Sequence, residues 1–76
     1  MPHIIVKLHA GRSEAQKAAI AEAVTQAVMA SAGCGERAVS VAIEDVAPAD
    51  WAQQVYIPDI VEQPDRIYKQ PGYDPR

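Results

Sequence analysis

The chain has a single cysteine, Cys34, so no intrachain disulfide can brace it, and none of its His, Cys, Asp and Glu residues cluster at metal-ligand spacing. Set between Gly33 and Gly35, that lone thiol reads as a loop residue of a reducing compartment. Basic residues are few: seven Lys and Arg against ten Asp and Glu leave a net charge of -3, and the seven are scattered. Phosphate binding draws on clustered cations, so no nucleic-acid partner is expected. Long apolar runs are missing too. The opening residues fall short of a signal peptide, and the alanine-rich stretch behind them is broken by Glu14, Gln16, Lys17, Glu22 and Gln26, so the chain reads as soluble and cytoplasmic, with no membrane partner. No internal repeat or low-complexity linker divides the 76 residues, which are taken as one domain, 1–76. A single core of that size leaves only a few kcal/mol of net stability. With disulfide and metal set aside, self-association is the remaining supplement.

What is present begins with Met1-Pro2, followed by an apolar run and then Gly11-Arg12-Ser13. A small second residue favours removal of the initiator Met, which would leave Pro2 as a free secondary amine. Interior prolines are amides without basicity, whereas a terminal prolyl nitrogen exchanges a proton near neutrality; an ordinary α-amino group titrates at ~7.7 to 8.0. General base catalysis is efficient in that range, so a proton-transfer enzyme is expected. A retained Met1 would acylate the nitrogen and silence it.

Residues 3–9 alternate, with Ile4, Val6 and Leu8 on one face and His3, Ile5, Lys7 and His9 on the other, which predicts a first strand. Ser13 is placed to cap a helix and Gln16 to complete a capping box, giving a helix from about Glu14 to Ala32 with Ile20, Val24, Ala27 and Val28 on its apolar side. Gly33-Cys34-Gly35 stops it. Residues 38–46 alternate again, Val39, Val41 and Ile43 against Ser40, Ala42 and Glu44, and predict a second strand. Strand, helix and strand make a β-α-β unit of the α/β (α+β) class, its strands parallel and its crossover right-handed. The helix covers one sheet face, and a second copy of the chain is the economical cover for the other. Pro48 suits the first turn of a short helix through Trp51 and Val55, while Pro58 and Pro64 are expected to break the remainder into short helical turns. The tail, Lys69 to Arg76, has turn chemistry at Pro71-Gly72 and is expected to lie on a neighbouring subunit.

An extended first strand covers ~23 Å from Pro2 to His9 at ~3.3 Å per residue, so Pro2 and Arg12 sit at opposite ends of one subunit. A parallel second strand brings Trp51, which follows its end, toward Arg12, and brings Arg37 and Ser40 to the end that carries Pro2. An antiparallel two-fold pairing of subunits would join the Pro2 end of one chain to the Arg12 and Trp51 end of the other.

With Pro2, Gly11-Arg12-Ser13, Gln16-Lys17 and Trp51 in this order, the chain resembles the 4-oxalocrotonate tautomerase family, small tautomerases that begin with a catalytic proline. Pro48 to Trp51 and Lys69 to Tyr73 are similar to its longer-tailed, homodimeric subgroup. The resemblance implies a β-α-β tautomerase fold completed by oligomerisation and a keto-enol isomerase that uses no metal or organic cofactor. Pro2 would be the general base, Arg12 would hold the substrate carboxylate by paired hydrogen bonds, and Trp51 would wall off water. Both neighbours would disfavour a charged Pro2, the guanidinium by like charge and the indole by desolvation. The family's second arginine, which binds the substrate's 2-oxygen and carboxylate, is replaced by Ser40, and Arg37 reads as a surface residue. A substrate with one carboxylate and an apolar remainder, such as a 2-hydroxy-enoate or a phenylenolpyruvate-like enol, fits that change. Two alternatives stay open: hydration of a halogenated acrylate with protonated Pro2 as acid and Glu44 or Asp45 activating water, and an inactive interaction module that keeps Met1. His3 and His9, six residues apart on one strand face, read as exposed or interface histidines, and Tyr56, Tyr68 and Tyr73 as packing groups.

Overall fold

The computed structural model describes residues 1–76, which divide into two compact units, Met1–Asp45 and Val46–Arg76. The first unit opens with strand β1, His3–His9, where β-branched Ile4, Ile5 and Val6 favour extended backbone. Ile4, Val6 and Leu8 are half-buried while Ile5 is 52% exposed, so the alternation of the sequence shows in the first half of the strand; Lys7 and His9 beyond it are half-buried as well. A turn at Gly11, whose φ of 120° suits only a residue without Cβ, leads into helix α1, Glu14–Ala32.

Both ends of α1 carry the caps that its sequence announces. The Gln16 N–H donates to Ser13 Oγ at 3.1 Å and the Ser13 N–H donates to Gln16 Oε1 at 2.9 Å, a complete capping box. Gly33 closes the helix in the left-handed conformation, φ 69° and ψ 39°, its N–H donating to the Met29 carbonyl. Ile20, Val24 and Val28 are half-buried, yet none of the nineteen helix residues is fully buried.

Strand β2, Ser40–Val46, lies beside β1 in a two-stranded parallel sheet. The Ser40 N–H donates to the Pro2 carbonyl at 3.1 Å, which pairs the two strand starts and sets the register. β2 begins two residues later than the expected Ala38. The reason is a 3₁₀ turn, Glu36–Ala38, in which the Ala38 and Val39 N–H groups donate to Gly35 and Glu36 carbonyls and so are lost to the ladder. At the far end Lys17 Nζ bridges Asp45 Oδ2 at 2.9 Å and Glu14 Oε1 at 3.0 Å, tying the start of α1 to the end of β2.

The second unit holds the two most buried residues of the chain, Val46 and Val55, 8% and 5% exposed. Pro48 starts a 3₁₀ turn, Pro48–Asp50, as its locked φ allows. Against expectation, Pro58 does not end the helix that follows: Ala52–Val61 is a ten-residue π-helix with Pro58 inside it. In an α-helix the proline ring would clash with the carbonyl of Gln54, four residues back, whereas the wider π turn moves that carbonyl away and needs bonds reaching five residues. The Glu62 N–H makes such a bond to the Ile57 carbonyl at 3.0 Å. Pro64 does interrupt, opening a separate 3₁₀ turn, Pro64–Arg66. The last residue folds back: Arg76 pairs with Asp74 at 3.0 Å and lies over the Tyr56 ring, 5.2 Å from its centroid.

Candidate active site

Pro2 precedes β1 and is half-buried, its carbonyl held by the Ser40 N–H. Met1 in front of it is 99% exposed. Beside this end, His3 Nδ1 and Ser40 Oγ form a hydrogen bond of 2.7 Å, joining the first residues of both strands through their side chains. That contact follows from the register, since parallel strands with paired starts put His3 and Ser40 on the same face. Arg37, in the exposed 3₁₀ turn ahead of β2, stands at this end as well.

Arg12 lies at the other end of β1. Its Nη1 donates to the His9 carbonyl at 3.1 Å, so the guanidinium is anchored over the end of the strand. Seven strand residues separate the two groups, and within one chain they do not meet. Asp45 shares the Arg12 end but is engaged by Lys17, whose ammonium it holds above the ordinary pKa of 10.5, with Glu14 adding to the effect. A carboxylate committed to an ammonium is a poor activator of water. Glu44 is exposed.

Trp51, in the second unit, joins the Pro48–Asp50 turn to the π-helix and is half-buried. The tyrosines separate by environment: Tyr56 is half-buried under Arg76, Tyr73 is 59% exposed and Tyr68 wholly so. The His3–Ser40 bond was not foreseen, although its signal was available, because both residues open a strand and fall on matching faces. Lys17 to Asp45 escaped for another reason: 28 residues separate them, and only the packing of helix on sheet brings them together.

Comparison with known proteins supplies the family. A family model described as tautomerase enzyme matches residues 2–58. A probable tautomerase of Xylella fastidiosa (strain 9a5c) is 49% identical over 73 residues, 96% of this chain and 89% of that protein. Tautomerase PptA of Cronobacter sakazakii is 37% identical over 97% of this chain and 99% of its own length, so the likeness runs through the tail. Among solved structures, a 4-oxalocrotonate tautomerase isozyme of Methylibium petroleiphilum shares 42% identity with a TM-score of 0.64, over 66% of this chain and 81% of that one. TomN, a 4-oxalocrotonate tautomerase homologue in tomaymycin biosynthesis, gives 40% identity and a TM-score of 0.64, over 66% of this chain and 77% of that one. The family match over residues 2–58, the relatives' identity along nearly the whole chain and the shared fold agree, and the chain belongs to the tautomerase family of isomerases.

Proposed function

We propose that the chain catalyses keto-enol tautomerisation of a small 2-hydroxy-enoate or phenylenolpyruvate-like acid in the cytoplasm, as a homodimer of single-domain subunits with Pro2 as general base. Once Met1 is removed, the neutral prolyl nitrogen takes the proton of the substrate's 2-hydroxyl. The O–H electron pair becomes the carbonyl π bond, and the former alkene π pair takes a proton at carbon from the prolyl ammonium. No proton is gained or lost overall, and the nitrogen returns to its starting state. Arg12 binds the carboxylate through paired hydrogen bonds, and Trp51 shields the reacting atoms from water.

The observation that carries this reading is the separation of Pro2 and Arg12 by the full length of β1, within a family of tautomerases. A substrate that touches both must draw them from two copies of the chain. The 99% exposure of Met1 leaves its peptide bond open to an aminopeptidase. One fixed carboxylate binder per site favours a monoacid, because Ser40 offers a hydroxyl where a second cation would be needed. The hydratase alternative lacks support, with Asp45 bound to Lys17.

Mass spectrometry of the purified chain and ultraviolet-detected ketonisation of phenylenolpyruvate test the proposal together. Loss of Met1, with turnover that falls at least ~100-fold in Pro2→Ala, is the expected result; that is the scale of a general base. A chain that keeps Met1 in its native host, or Pro2→Ala turnover equal to the parent's, would overturn it.

A further inference from the structure

We propose that Ser40, together with His3, is a positioning residue for Pro2. The inference rests on the reading of Pro2 as the base. A free terminal residue is the part of a chain that frays most readily, yet a base must sit within hydrogen-bond reach of its proton throughout turnover. With Met1 gone, ψ of Pro2 is the soft backbone torsion between the pyrrolidine ring and the strand, and rotating ψ swings the Pro2 carbonyl. The Ser40 N–H, 3.1 Å from that carbonyl, fixes it. The hydroxyl of the same residue holds the His3 ring at 2.7 Å, so the next residue is tied to the same point on β2.

The side-chain bond persists whichever way the ring is protonated. When Nδ1 is bare, the hydroxyl donates to it, and when Nδ1 carries a hydrogen, Nδ1–H donates to the hydroxyl. A serine rotor serves both states, where alanine serves neither. Ser40 and His3 are exposed in the chain, so the link is no packing device; its effect falls on the geometry of the residue before it. Displacing a reacting group by a fraction of an ångström lowers turnover more than it weakens binding.

Steady-state kinetics on phenylenolpyruvate, using protein shown by mass to lack Met1, tests this. Ser40→Ala is expected to lower kcat about fivefold with KM within about twofold, the scale of one net hydrogen bond. Ser40→Thr, which keeps the hydroxyl on a β-branched side chain suited to a strand, recovers the lost kcat. His3→Phe matches Ser40→Ala, and the double variant loses no more than either single, as for two halves of one contact. Hydrogen–deuterium exchange of the amide at position 40 gives a readout without substrate: it quickens in Ser40→Ala and His3→Phe and is restored in Ser40→Thr. Parental kcat in Ser40→Ala, additive losses in the double variant, or unchanged exchange at position 40 would overturn the proposal while leaving an inactive Pro2→Ala to uphold the base. If Pro2→Ala instead keeps full turnover, the base reading falls and the clamp loses its purpose, even where exchange still reports the link.

Discussion

Arg12 already has one partner, the His9 carbonyl at 3.1 Å, and a guanidinium with five N–H donors is not exhausted by one bond. The anchor sets the fork in place over the strand end, so the carboxylate proposed to bind there would meet a group whose orientation costs little further entropy. Arg12→Ala is therefore expected to lower kcat/KM on phenylenolpyruvate by roughly 10- to 100-fold, the worth of a charge-assisted pair, with most of the loss in KM. Arg12→Lys should recover only part, because an ammonium cannot make the planar two-point contact. Steady-state kinetics of the two variants checks both statements. At this scale the sequence spoke clearly where a residue's position was unusual, as with the proline behind Met1, and was silent where a contact joined distant positions. Neither His3 nor Ser40 is unusual alone, and their 2.7 Å bond spans 37 positions of the chain.

Among the elements, α1 shows how far local signals reach. Its start and stop are set by groups within three or four residues of each other, the Ser13–Gln16 box and the Gly33 cap, and both matched expectation. Ser13→Ala removes the acceptor for the Gln16 N–H and is expected to cost about 1 kcal/mol, read as a fall in Tm of about 4 to 8 °C by calorimetry. The bridge from Lys17 to Asp45 and Glu14 has a pH signature. Because those carboxylates hold the Lys17 ammonium above its ordinary pKa of 10.5, its contribution is complete below 10.5 and disappears as pH rises through the raised value. Denaturant titrations should show a stability gap between the parent and Lys17→Met that is steady from neutral pH to 10.5 and closes in stronger alkali. The π-helix was hidden for the opposite reason to α1. Proline chemistry predicts a break at Pro58, and only the choice of a wider turn over Ala52–Val61 accommodates the ring.

For the whole molecule, burial is the decisive quantity: only two residues of 76 are buried, none of them completely, and Ile5 of β1 is 52% exposed. A domain this small needs apolar cover, and the proposed homodimer would supply it on the side of β1 where Ile5 is exposed. Ile5→Asp is expected to shift the assembly toward monomer, measured by light scattering on a sizing column, and to abolish turnover in proportion. Turnover that survived in monomers would refute a site shared between subunits. The sequence by itself determined whatever depends on neighbours: the alternation of β1, the caps of α1, the glycine at the turn before Arg12 and the identity of the residue behind Met1, because backbone sterics and short hydrogen bonds act over a few positions. The late start of β2 and the turn width around Pro58 rest on bonds three and five residues apart that the residue pattern did not reveal, whereas tertiary structure alone decided the register that ties Ser40 to Pro2 and the partner of Asp45. These last outcomes depend on which distant groups packing brings within 3 Å or so, and hydrogen bonds of that reach are set by the fold as a whole.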